Sequence, residues 1–142
     1  MLMPSRVKYR KQQKGRVKGK SLVANTLALG DSGIQALGNG RLKSAHLEML
    51  RVLISRNLGN NGKMWFRVFP DKSVSKKPAE TRMGKGKGDV DHWVAVVRRG
   101  RIIVEVGGVS IPEMKEILRT ALYKLPIPCR VVTRKDVEGG VV

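Results

Sequence analysis

Two stretches of this chain set their apolar residues along one side of a helix, and most of what surrounds them alternates in twos. In the first, Leu47, Leu50, Ile54 and Leu58 stand at i, i+3, i+7 and i+11 with Leu53 alongside, while Arg51, Ser55 and Asn57 fall off the stripe. In the second, Met114, Ile117, Leu118, Ala121, Leu122 and Leu125 form a stripe wide enough to cover a sheet. A helix that is apolar along one side must bury that side against another layer, and the alternating segments supply it. The order is strands, helix, strand, long loop, hairpin, helix, strand. It predicts an α+β fold, with an antiparallel or mixed sheet packed against two helices.

The boundaries follow from local chemistry. Ser44 opens the first helix, and Gly59 with Asn60-Asn61-Gly62 closes it, because these residues tolerate positive φ. Ser110-Ile111-Pro112-Glu113 opens the second. Its serine is placed to cap the N3 amide, Glu113 to return the bond, and the proline sits where its missing N–H costs little. Pro126 and Pro128 stop that helix, and Cys129 to Thr133 reads as the last strand. Leu22 to Leu37, broken by Gly30, Asp31, Ser32 and Gly33, reads as two short strands around a turn, with Gly38-Asn39-Gly40 a second turn. Along Lys63 to Phe69, Met64, Phe66 and Val68 point one way and Trp65, Arg67 and Phe69 the other. The second face has two readings, cover by the second helix or contact with RNA through Arg67. Trp93, Ala95 and Val97 alternate with His92, Val94 and Val96. A tight turn at Arg99-Gly100 then leads to Ile102, Val104 and Val106, a β-hairpin with one well-buried face.

Charge separates two other regions from this platform. Residues 70–88 bring Lys72, Lys76, Lys77, Arg82, Lys85 and Lys87 against only Asp71 and Glu80, and end in Gly84-Lys85-Gly86-Lys87-Gly88. A loop of that length inside a compact domain is uncommon and is usually functional or disordered. Residues 1–20 carry Arg6, Lys8, Arg10, Lys11, Lys14, Arg16, Lys18 and Lys20, and the first acid is Asp31. With no period of 2 or 3.6, this tail is expected to stay unfolded alone and to order only along an anionic surface. Tyr9 is its one aromatic, available to stack on a base. The chain as a whole has 29 Lys+Arg against 11 Asp+Glu, a net charge of +18. An excess that is both large and clustered points to a polyanionic partner. The expected organisation is a basic tail (1–20), a single α+β domain (21–136) with an inserted basic finger (70–88), and a frayed end (137–142).

Several function classes drop out. One cysteine, Cys129, makes no internal disulfide, and neither His46 nor His92 stands at zinc spacing from it. It reads as an inert thiol in a reducing compartment. No apolar run reaches the ~18 residues of a membrane span, and the N-terminus lacks the apolar region of a secretory signal. The glycine-lysine end of the finger is not a phosphate loop. No Ser or Thr follows Lys85 or Lys87, and a strand rather than a helix comes next. Asp89 and Asp91 lack a third ligand for a metal. The expectation is a binding protein without catalysis, metal or cofactor. Glycines let the finger's backbone approach a sugar-phosphate chain, lysines neutralise phosphates, and Arg82 offers a bidentate fork.

The run WFRVFPDKSVSKKPAETRMGKGKGDVDHWVAVVRRGRIIVEV closely resembles the bacterial large-subunit ribosomal protein L-sixteen family, and MLMPSRVKYRKQQKGR and GNGRL fit it too. The resemblance implies a hammerhead-like core on 23S rRNA, near the central protuberance and the A-site side of the peptidyl transferase centre. It implies contact with A-site tRNA, with P-site tRNA and 5S rRNA as further candidates, and neighbouring large-subunit proteins as partners. It implies a cytoplasmic ribosome, an organellar one being the alternative. The rRNA-binding candidates are the tail cations named above with Arg67 and Lys72. The finger candidates, facing rRNA or tRNA, are Lys76, Lys77, Arg82, Met83, Gly84, Lys85, Gly86, Lys87 and Gly88. Arg82 matches the finger arginine that some bacteria hydroxylate. Charge alone also fits a free RNA chaperone or nucleoid-type protein, which needs no fixed finger.

Overall fold

The stripe on Ser44–Leu58 is buried along its length, with Leu47, Leu50 and Ile54 fully enclosed. In this computed structural model, which describes residues 2–76 and 86–134, that helix (α1) packs against elements of two different sheets. The strands are β1 (Ser32–Ala36), β2 (Gly40–Lys43), β3 (Lys63–Phe66), β4 (Lys72–Lys76), β5 (Asp89–Val97), β6 (Ile102–Gly107) and β7 (Cys129–Thr133), and the second helix is α2 (Ile111–Leu122). One sheet has the order β3-β6-β1-β7 and the other β2-β5-β4, and each ladder between these strands is antiparallel. The α+β expectation therefore holds, built on two sheets. α1 touches β2 and β5 of the smaller sheet and β3 of the larger, and α2 covers β1 and β7. Met114, Leu118 and Ala121 of α2 meet Ile34, Val104 and Val106 in the same apolar core as the α1 stripe. Each fully buried Leu, Ile or Met contributes about 1.5–3 kcal/mol relative to exposure.

Several strand expectations are corrected. Arg99-Gly100 does turn the chain, with Gly100 at φ 95° and Arg101 N–H donating to Arg98 C=O at 3.2 Å. Yet β5 and β6 are not paired: β5 lies between β2 and β4, and β6 between β3 and β1. Alternation says which face is apolar but not which neighbour completes the ladder, and β6 is buried on both faces. Leu22 to Leu37 holds one strand rather than two. Gly33 lies within β1 instead of in a turn, because a Cβ there would come within 2.6 Å of the Val104 carbonyl. Gly40–Lys43, expected as a turn and a helix approach, is the edge strand β2, its residues Gly40 to Lys43 opposite Val97 to Val94. β3 ends at Phe66, short of Phe69. Lys72–Lys76, expected within the loop, is β4, paired antiparallel with the start of β5.

The helix starts also differ in detail. Ser110 forms no side-chain cap, and α2 begins on the backbone bond from Met114 N–H to Ser110 C=O at 3.0 Å. At α1 the N-terminus is closed by His46, whose Nδ1 accepts from the Lys43 N–H at 3.1 Å. Burial, then the nearby Lys43 charge, hold this imidazole below its usual pKa, which keeps the acceptor nitrogen free. Ser44 Oγ donates to the Leu2 carbonyl at 2.8 Å, and Leu2 packs on the core.

Candidate nucleic-acid interface

The smaller sheet carries its cations on edge strands: Arg41 and Lys43 on β2, Lys72 and Lys76 on β4. Lys87 stands just before β5. The N-terminal tail crosses this surface without helix or strand of its own. Arg41 Nη2 donates to the carbonyls of Lys14 at 2.6 Å and Gly15 at 3.0 Å. Lys72 Nζ donates to the Lys14 carbonyl, Ser73 Oγ to that of Arg10 and Lys87 Nζ to that of Gln12. Gln12 Nε2 returns a bond to the Asp71 carbonyl at 3.4 Å, and Ser21 N–H bonds Arg99 C=O at 2.8 Å. The expectation that the tail orders only on an external anionic surface is thus corrected. Its own carbonyl dipoles accept from the sheet's cations, and this satisfies backbone groups that would otherwise need water.

Because the tail is held mainly through its carbonyls, its cations stay exposed. Arg6, Lys8, Arg10, Lys11, Lys14, Arg16, Lys18 and Lys20 are all exposed. Lys11 bonds back to the sheet side, from its Nζ to the Lys87 carbonyl at 3.2 Å. Lys8 Nζ sits 5.6 Å from the centroid of the Tyr9 ring, which is 72% exposed. The finger residues divide. Lys76 ends β4 opposite Asp89, and Gly86, Lys87 and Gly88 precede β5, with Gly86 at φ 84°. Lys77, Arg82, Met83, Gly84 and Lys85 lie outside the described residues, as does the C-terminal stretch 135–142.

Arg67 sits elsewhere. Its Nη1 lies 3.2 Å from Oε1 of Glu105, a fully buried carboxylate, and its side chain is 24% exposed. Glu105 also accepts the N–H groups of Ala28 at 2.8 Å, Leu29 at 2.7 Å and Gly30 at 3.2 Å. Arg67 thereby closes a carboxylate that pins the segment before β1, away from the cationic sheet. Of the Asp89/Asp91 pair, Asp91 is engaged by His92, Nδ1 to Oδ2 at 2.7 Å, and that hydrogen bond is the main reason its carboxyl lies below the usual range. Cys129 is half-buried, and burial pushes its thiol up to about 12, which keeps the sulfur protonated and unreactive near neutral pH.

Sequence reasoning missed Arg41, Lys43, Ser75 and His92, which together with Lys14, Lys72 and Lys87 line a cavity of about 390 Å³ between the tail and the smaller sheet. The available signal was the GNGRL segment, whose arginine reads differently once β2 is recognised as an edge strand. Among the described residues no helix is long and apolar enough to cross a membrane. Comparison with protein families matches residues 4–132 to ribosomal protein L16p/L10e. That match takes in nearly all of the tail, both helices, both sheets and the finger. A docked tail with exposed cations, carried on a basic sheet, suits a polyanionic partner, and the chain belongs to the ribosomal protein L16p/L10e family, RNA-binding components of the large ribosomal subunit that serve translation.

Proposed function

We propose that this protein is a structural component of the large ribosomal subunit that binds 23S rRNA and contacts A-site tRNA near the peptidyl transferase centre. P-site tRNA, 5S rRNA and adjacent large-subunit proteins are its further neighbours, in a cytoplasmic ribosome. It performs no catalysis of its own. The observation that carries this reading is the tail, laid across a cationic sheet through its carbonyls with its cations exposed. Such a surface meets phosphates, and A-form RNA presents phosphates and 2′-hydroxyls across a shallow minor groove, so recognition proceeds by shape rather than base sequence. β4 and β5 pair on either side of the finger sequence, and its proposed RNA contacts are Lys76, Lys77, Arg82, Met83, Gly84, Lys85, Gly86, Lys87 and Gly88. Arg82 is its candidate for hydroxylation.

The test is sedimentation of a cell lysate through a sucrose gradient in high-magnesium buffer. The protein is expected with the large subunit. Recovery at the top of the gradient would overturn the reading in favour of a free RNA chaperone. For the finger, the combined Arg82→Ala, Lys85→Ala and Lys87→Ala variant is expected to leave the core folded, with only the Lys87 bond to the Gln12 carbonyl of the tail lost. It should slow tRNA accommodation by about tenfold, because three phosphate contacts are lost. An unaltered accommodation rate would remove the finger from the tRNA contact.

A further inference from the structure

α1 carries apolar residues on two opposite sides. Leu47, Leu50, Ile54 and Leu58 face the core. Ala45, Met49 and Val52 stand half a turn away at i, i+4 and i+7, and Arg56 continues the row at i+11. Met49 and Val52 are half-buried, yet they belong to neither apolar cluster of the described residues. With Leu53 and Lys124 this row lines a groove of about 920 Å³. A surface helix turns polar residues to water on its outer side, and a helix that is apolar all round is covered all round. The second row is therefore the imprint of a partner that no described element of the fold supplies.

The smaller sheet separates this groove from the tail. Leu42, Ala95 and Val97 turn toward the core that α1 covers, whereas Arg41, Lys43 and Val94 turn toward the tail. A polyanion held on the tail side thus lies across the sheet from α1.

Charge selects among occupants. Arg56 and Lys124 are exposed, and neither joins an ion pair among the described residues. Glu48, the one acid among the described residues of the wall, is bonded to Arg51. A second copy would bring together two chains of net charge +18 and set cation against cation. An RNA strand presents phosphates and sugars, which an apolar row does not hold. A protein helix with apolar residues at the same three- and four-residue spacing fills the row, and carboxylates on its flanks meet Arg56 and Lys124. Met49, unbranched and polarizable, adapts to the side chains it faces.

We propose that the outer side of α1 docks an acidic amphipathic helix of a neighbouring protein, seated on Ala45, Met49 and Val52 and oriented by Arg56 and Lys124. Only the partner's location, in the large subunit, rests on the ribosomal reading above.

The test uses the full chain with Val52→p-benzoylphenylalanine, expressed in cells and recovered from sucrose-gradient fractions. Illumination is expected to join it to one protein of the large subunit, at a segment with apolar residues spaced three and four apart and flanking acids. Arg56→Glu with Lys124→Glu is expected to lower the yield about fivefold. Both positions are exposed, so the core is untouched. Met49→Gln is expected to lower it about tenfold. Two synthetic helices of about three heptads, with the same leucine spacing and either glutamate or lysine flanks, are titrated against the free chain. The glutamate form is expected to bind about tenfold tighter, and the Arg56→Glu, Lys124→Glu variant to abolish that preference.

Cross-linking to RNA, to a second copy, to nothing, or to a protein segment without that pattern overturns the proposal, as does equal binding of the two helices. If the chain sediments with the large subunit while position 52 joins RNA, the docking proposal falls and the ribosomal reading stands. If position 52 joins an acidic helix but the chain stays at the top of the gradient, the docking proposal stands and the ribosomal reading falls.

Discussion

Replacing Glu105 by alanine is expected to lower folding stability by about 3 kcal/mol or more, the cost of breaking a buried ion pair by removing one partner. Glu105 lies at the centre of the larger sheet with no solvent exposure. Its two oxygens accept from three successive backbone amides, at Ala28, Leu29 and Gly30, and from Arg67. The alanine variant leaves Arg67 facing an emptied pocket and strands the Gly30 N–H, which is buried and has no route to water. Ala28 and Leu29 are nearer the surface, so their amides recover solvent, and the loss stays toward the lower end of the ~3–5 kcal/mol range. Arg67→Ala should cost less, about 1–2 kcal/mol, because the carboxylate keeps all three amides. Glu105→Gln should fall between the two, since its amide nitrogen cannot accept. Urea unfolding at neutral pH measures this, with the midpoint falling and the slope m unchanged. A loss below about 1 kcal/mol for Glu105→Ala would mean that the carboxylate is not the pin of the segment before β1.

Neutralising the tail is expected to have the largest effect on RNA binding. Arg6, Lys8, Arg10, Lys11, Lys14, Arg16, Lys18 and Lys20 changed together to glutamine remove about eight charges. If each meets a phosphate, the slope of log affinity against log salt becomes shallower by roughly 6–7, and affinity at moderate salt falls by about 10³ or more. The structure makes this substitution interpretable. The tail docks through its carbonyls, which accept from Arg41, Lys72, Ser73 and Lys87, so removing its side-chain charges leaves those bonds in place. Thermal unfolding should therefore change little, apart from the single Lys11 bond to Lys87. Neutralising exposed Lys115, Arg119 and Lys124 in and just after α2 is the comparison, with an expected slope change well under half as large. Equal slope changes in both variants would mean that the tail holds no special place in RNA contact.

Much of the fold was legible because it is written in local periods. Apart from Ser44, the buried residues of α1 and α2 belong to the two stripes, and α1 starts at Ser44 and β7 spans Cys129–Thr133 as expected. The exposed charge of the tail was legible too, since a segment with eight cations and no apolar period has nothing to bury. Glu105 was not. Its place in an alternating run suggested only the other face of a hairpin, whereas β6 is covered on both sides and the carboxylate is satisfied by amides more than 70 residues away. The alternation around Arg67 left its face open to helix cover or to RNA, and it gave no sign of the buried Glu105 carboxylate 3.2 Å from its guanidinium. That Arg41 bonds the tail's carbonyls depends on the tail lying over β2, which no local pattern reveals.

The sequence by itself determined the α+β class, the two helices with their buried sides, the last strand and the two basic regions. Each of these depends on residues within a few turns of one another, where spacing dictates which side meets water. Only the tertiary structure decided that β5 and β6 part into different sheets, that β4 pairs with β5, that the tail lies on β2 and β4, and that Glu105 is buried. Those outcomes depend on which distant backbone or side-chain group completes a hydrogen bond. A period of 2 or 3.6 specifies a face, and it carries no information about the partner across it.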